Sequence, residues 1–260
     1  MRHPSHRQVL AQITRLEKFI DGWEMIPATA DRRNRVFLAM LSKALTVGRA
    51  ICVLVGAGFP TEAFGLSRTL IDIFFSVRYM SNKDTEARIT TFVEYATRIQ
   101  KEWVAINDKY YPARKLKLPP SHDEAMKTAE KYKRRHQWTS HGGQAKFMAL
   151  EPDSFEVNDK GDPLTGEFDY DAFYFWTSQY VHATVHALHG HASDPGDVFR
   201  VRSKISTETE YARLALFNTV SFLIKIHIQA CRGMREEQPD AILQDMFRML
   251  PRFEREMEGV

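Results

Sequence analysis

Residues 61–80 read TEAFGLSRTLIDIFFSVRYM, and this stretch decides the fold. Ala63, Phe64, Leu66, Leu70, Ile71, Ile73, Phe74, Phe75 and Val77 make it apolar almost all round. A helix of that kind lies at the centre of its domain, because it has no side to give to water. Pro60 opens it at the first helical position, where a missing N–H costs nothing. Gly56-Ala57-Gly58 closes the helix before it.

Outward from this centre the period stays helical. Residues 5–26 place Val9, Ile13, Leu16, Ile20 and Trp23 on one face, and Pro27 closes the segment. Residues 31–55 repeat the pattern through Val36, Met40, Leu41, Leu45 and Ile51, and residues 84–109 carry Ile89, Phe92, Val93, Ile99, Trp103 and Ile106 on one side. The stretch YYPARKLKLPP interrupts the series. Ser121 with Glu124 forms a capping box for a short basic helix to about residue 136. Residues 138–168 are the least regular, with Gly142-Gly143 and an exposed polar loop, EVNDKGDPLTGE. Residues 168–193, FDYDAFYFWTSQYVHATVHALHGHAS, read as one helix ended by Asp194-Pro195-Gly196. Thr207 with Glu210 caps a long apolar helix through Leu214, Phe217, Val220, Phe222, Leu223 and Ile226. A last amphipathic helix spans 239–256, kinked at Pro251. The best strand candidate is only VFRVRSKI, residues 198–205. The expected fold is all-α: one domain over residues 1–260, a multi-helix bundle with an irregular, partly basic excursion at 110–168 between its halves.

The chain of 260 residues is 43% hydrophobic and 27% charged, which suits a soluble protein with a sizeable core. A net charge of +3 is too small to argue for nucleic acid by bulk electrostatics. Cys52 and Cys231 each sit in an apolar helical context, the pattern of buried thiols in a reduced compartment. The start, MRHPSHRQVL, has no signal-peptide core, and the longest apolar run, residues 50–60, is about half of a membrane span. The expected location is cytoplasmic, without a membrane. Aromatic-rich helices offer more apolar surface than one bundle needs, so a homodimer is expected.

Three constellations carry chemistry. In the apolar helix, Arg68 and Asp72 are four residues apart and can pair. They serve either as a buried ion pair that orders the bundle or as an anion site in which Asp72 holds the Arg68 guanidinium. In the histidine-rich helix, a spacing of about 100° per residue gathers Asp171, Ser178, His182, His186 and His189 within a quarter of the circumference. His182 and His186 can chelate a divalent metal, with Asp72, Asp171 or a histidine from the loop completing the set, although no HExxH motif is present. The plain alternative leaves these histidines to solvent. Last, RHQWTSH runs from Arg135 to His141, preceded by Lys133 and Arg134. This Arg-to-His spacing is similar to the ribonucleolytic signature of HEPN-type helical proteins, in which His activates a ribose hydroxyl and Arg steadies the phosphorane. An ordinary solvated basic face reads the same way.

GLSRTLIDIFFSVRYM resembles the central helix of a bacterial all-helical family of unknown function, with an Arg and an acid four positions on. WTSQYVHATVH is similar to that family's second signature, a Ser four residues before a His. The likeness covers about residues 49–191. The family usually carries Glu where this chain has Asp72, a shorter arm with the same charge. The resemblance implies an all-α fold and a shared pocket of Arg68, Asp72, Ser178 and His182, with no established activity. Three functions stand as expectations. The first is a HEPN-like, metal-independent ribonuclease or a toxin effector in phage defence, acting on RNA or another phosphate-bearing ligand. The second is a metal-dependent phosphohydrolase built on His182, His186 and Asp72. The third is a non-enzymatic binding or scaffold module.

Overall fold

The computed structural model describes residues 4–22, 31–112, 138–139, 144–181, 192–193, 200–201, 210–236 and 238–254. The long elements are α1 (His6–Asp21), α2 (Arg32–Ala57), α3 (Pro60–Asn82), α4 (Thr85–Tyr110) and α7 (Glu210–Met234). Shorter ones are α5 (Gln144–Leu150), α8 (Asp240–Phe247) and α9 (Leu250–Glu254). Helix α6, residues 167–181, is α-helical at Glu167–Asp169, π-helical over Tyr170–Tyr174 and α-helical again over Phe175–Val181. The architecture is an all-α multi-helix bundle. Its strand pairing among the described residues is a two-residue antiparallel ladder, Ala192–Ser193 with Arg200–Val201, the latter within the expected strand segment, and an isolated bridge between Val157 and Pro163.

As the sequence requires, α3 lies at the centre, against α2, α7, α5 and α6. Leu70, Ile71, Phe75 and Met80 of α3 join Phe37, Leu41 and Ile51 of α2, Ile13 and Leu16 of α1, and Phe222 of α7 in one core of fully buried side chains. Helices α2 and α7 are long and apolar enough to cross a membrane, which the reading of apolar runs alone missed. Within the structure 78% of that apolar stretch is buried in α7 and 44% in α2. Cys52 and Cys231 are buried and unbridged, and burial pushes both thiols up to about 12, so neither is reactive near neutrality.

The element ends follow local chemistry. Ser5 and Gln8 form a full capping box on α1, and that helix stops at Asp21 with Gly22 as its cap, short of the expected residue 26. Gly58 closes α2 with a left-handed φ of 85°, a conformation a side chain would strain. The expected kink at Pro251 falls earlier: α8 ends at Phe247, four residues before the proline, because the ring clashes with that carbonyl. Pro251 then sits near the start of α9. The capping box at Ser121 and the cap at Thr207 lie outside the described residues.

One close approach is testable. A Cβ at Gly233 of α7 would lie 2.3 Å from Cζ of Phe37, a ring with no exposed surface. Gly233→Ala should therefore cost about 2 kcal/mol and lower the melting temperature by roughly 4–8 °C. A melting curve that superimposes on wild type would show that the two helices do not approach in this way.

Candidate functional site

The site grows from the meeting of α3 with α6. Arg68 and Asp72 lie one turn apart on α3, with Arg68 Nε 3.8 Å from Asp72 Oδ2. The Arg68 Nη2 donates a hydrogen bond of 2.8 Å to the hydroxyl of Tyr174. Its guanidinium carbon also sits 4.8 Å from the centroid of that ring, within cation–π range. Tyr174 is braced in turn by Tyr170, whose ring stacks on it at 5.0 Å and 17°. The guanidinium is thus oriented by a carboxylate and a tyrosine, the preorganisation that a bidentate contact to phosphate or carboxylate exploits.

Asp72 differs from the buried partner that the sequence suggests. Its side chain keeps 47% of its surface exposed, and that of Arg68 21%. The pair lies at a partly open surface, so it is not a buried ion pair of the bundle. Desolvation pushes the Asp72 carboxyl up to about 6, with the Arg68 charge pulling the other way. With half the side chain wetted, that value is the ceiling of the shift. A carboxyl titrating toward 6 can exchange a proton near neutral pH. Burial, followed by the charge of Asp72, raises the Tyr174 hydroxyl and keeps it protonated.

Tyr174 reaches Arg68 because α6 is not a plain α-helix. The π turn over Tyr170–Tyr174 inserts extra arc and resets the phase of the turns beyond it. Phase counted at 100° per residue therefore fails across it. Asp171, expected on the polar stripe, is exposed, while Asp169 is 7% exposed and pairs with Lys225. Ser178 lies one turn beyond Tyr174, in the α-helical part of α6, and its hydroxyl donates 2.6 Å to the Tyr174 carbonyl. With its one proton committed, that hydroxyl can only accept from a further partner. Tyr174 is the functional residue that sequence reasoning passed over, although it borders the expected stripe.

His182, His186, Lys133, Arg134, Arg135 and His141 lie outside the described residues. Within the Arg135–His141 segment the structure describes Trp138 and Thr139, both buried. Trp138 packs edge-on against Tyr79 at 5.4 Å and Phe92 at 5.3 Å, which makes the centre of that segment an anchor on α3 and α4. Among the described residues no three His, Cys, Asp or Glu side chains converge as a metal site. Asp72, proposed as a metal ligand, already faces the Arg68 cation.

A second charged cluster, unforeseen in the sequence, lies farther along α3. Arg78 pairs with Asp153 at 3.7 Å, with 5% and 2% of the side chains exposed. Arg232 reaches Asp153 at 3.6 Å and also binds Glu156. Arg88 grips both oxygens of Glu151 at 2.7 and 2.9 Å. Asn82 clamps the same loop through Glu151 Oε1, the Pro152 carbonyl and the Ser154 amide. Beside them lies a cavity of about 290 Å³ bordered by Phe74, Leu164, Phe168, Lys225 and Ile228. Its charges are matched among themselves, so the cluster fastens the 151–166 loop to α3, α4 and α7. The polar loop is exposed over 157–165, and Asp153 and Gly166 on either side of that stretch are buried.

No match was found among curated proteins or solved structures. A family model of unknown function, DUF5677, matches residues 34–199, which is more than half of the 260-residue chain. That span contains both helices whose motifs carried the resemblance, the Arg-x-x-x-acid of α3 and the Ser178 turn of α6. By its sequence from α2 through the histidine-rich segment, the chain belongs to the DUF5677 family of unknown function.

Proposed function

We propose that the partly open surface at Arg68 binds a phosphate-bearing ligand, and that the protein is a HEPN-like, metal-independent ribonuclease of the kind that serves as a toxin or defence effector. The observation that supports this reading is the Arg68 guanidinium, held in one orientation by Tyr174 and Asp72 at a half-open surface. Arg68 binds the phosphate. His182, four residues after Ser178 in sequence, takes the proton of the ribose 2′-hydroxyl as that oxygen bonds to phosphorus. The bond from phosphorus to the 5′-oxygen breaks, and the leaving oxygen takes back from the His182 imidazolium the proton that the ring removed, while Asp72 keeps the Arg68 guanidinium in place. The products are a cyclic phosphate and a free 5′-hydroxyl.

The test is cleavage of end-labelled RNA by the purified chain in the presence of chelator. Wild type should cut, and His182→Ala should fold normally and fall to background. Arg68→Ala should weaken RNA binding about ten- to a hundredfold, the worth of a charge-assisted hydrogen-bond pair. Cleavage that survives in His182→Ala would remove this site from the reaction. Binding without cleavage in wild type would favour the non-enzymatic module. That second reading has one observation behind it: the Thr177 and Ser178 hydroxyls are both given to the backbone of their own helix.

A further inference from the structure

We propose that the outer half of α4 is a homodimer interface, in which two copies of this helix pair antiparallel. The stripe Ile89, Phe92, Ala96, Ile99, Trp103, Ile106 and Tyr110 advances by alternating steps of three and four residues, the period of a coiled-coil seam. Its first half is used inside the molecule: Ile89 is fully buried, and Phe92 packs on Trp138. The second half continues in the same register and is exposed, with the neighbouring Lys109 ammonium 5.0 Å from the centroid of the Tyr110 ring. Ile99 is 48% exposed, Trp103 63%, Ile106 51% and Tyr110 64%. Four large apolar side chains aligned along one helix form a contiguous patch, unlike scattered surface hydrophobes.

The charges beside the stripe choose the occupant. With Trp103 and Tyr110 at position a and Ile99 and Ile106 at position d, Glu102 and Lys109 both fall at position g. Position g faces position g across an antiparallel pair. A second copy running the opposite way therefore sets Glu102 against Lys109 of the second copy, and Lys109 against Glu102 of the second copy. The same register sets Trp103 against Ile106 of the second copy and Ile99 against Tyr110 of the second copy. A parallel pair instead brings position g to position e, where Gln100 and Asn107 carry no charge. The surface is thus complementary to itself under a two-fold axis, as an isologous dimer requires. This interface stands apart from the Arg68–Asp72 pair and does not depend on the ribonuclease reading.

Light scattering of the full chain over a concentration series tests it. Wild type should approach twice the 30.1 kDa chain mass. Trp103→Glu should stay at the monomer mass and melt where wild type melts at concentrations low enough to leave it a monomer, since that side chain is mostly exposed in the single chain. Glu102→Lys and Lys109→Glu should each weaken the dimer about tenfold, and the double exchange should restore it. Glu102 also pairs with Arg98 in its own helix. That loss is common to the Glu102→Lys variant and the double exchange, so it cannot produce the rescue. A wild-type monomer at every concentration, or a dimer indifferent to Trp103→Glu, overturns the interface. A dimer broken by Trp103→Glu but not rescued by the charge exchange overturns the antiparallel arrangement.

Discussion

Asp153→Ala is expected to destabilise the protein by about 3–5 kcal/mol, the cost of leaving a buried charge without its partner. Only 2% of the Asp153 side chain is exposed, and it faces Arg78 at 3.7 Å and Arg232 at 3.6 Å. Its Oδ1 also accepts from the Phe155 and Glu156 amides at 2.8 and 3.1 Å. Arg78 has further acceptors, the carbonyls of Met148, Glu151 and Leu164 at 3.3, 2.8 and 3.0 Å, but none of them carries a full charge. Desolvation already lowers the Arg78 pKa, with Asp153 the largest opposing influence. Deleting Asp153 leaves that desolvation in place and removes its main compensation. Asp153→Asn, which keeps an oxygen for the two amides, should cost less than the alanine. The exposed pair Arg15–Asp245, with 42% and 36% of the side chains wetted, serves as the control, and its removal should cost less than about 1 kcal/mol. Chemical denaturation of the three variants gives the comparison. An Asp153→Ala protein as stable as the control variant would mean that solvent reaches the cluster.

The contrast between Arg68 and Arg78 shows what the sequence can convey. An almost wholly apolar helix announces its central position, and α3 has that position. Composition cannot say which of two arginines on such a helix is buried, because the answer lies in what arrives from elsewhere in the chain. Arg78 is enclosed by a loop 70–86 residues away that brings three carbonyls and a carboxylate. Arg68 meets Asp72 and Tyr174 at a surface that stays half open. One local signal for the buried cluster was present: Ser81 and Asn82 end an apolar helix with polar side chains, and both bond across to other elements. The π turn had no such signal. A single extra residue in a helical turn leaves the amphipathic pattern nearly intact, and nothing in that pattern distinguishes the buried Asp169 from the exposed Asp171. The α4 stripe was legible as a helix face, but its division into an inner buried half and an outer bare half depends on where Trp138 docks.

His227 should make stability fall with acid in a window between about pH 6.5 and 4. The ring lies in α7 with 1% of its surface exposed. Nδ1 is 2.8 Å from the Leu223 carbonyl, which can only accept, so that nitrogen carries the proton of the neutral ring. Nε2 is buried and has no hydrogen-bond partner among the described residues. Protonating it would place an uncompensated cation in the core, and desolvation accordingly lowers the pKa to about 4 from an ordinary 6.5. Between those values the unfolded chain binds a proton that the folded chain refuses. Stability is therefore complete above 6.5 and declines as pH falls toward 4, by about 3 kcal/mol in total. Asp72 works in the opposite sense over part of the same range, because its raised pKa makes the folded state take up a proton first. The wild-type curve alone is then a difference of two slopes. His227→Leu isolates one of them, since Asp72 is common to both proteins. The variant should be at least as stable as wild type at pH 7, where it relieves an unsatisfied buried nitrogen. Its advantage should widen by about 3 kcal/mol as the pH falls to 4. Denaturation curves that stay parallel over that range would mean that the ring takes its proton inside the fold, with a partner or a water at Nε2 to receive the charge.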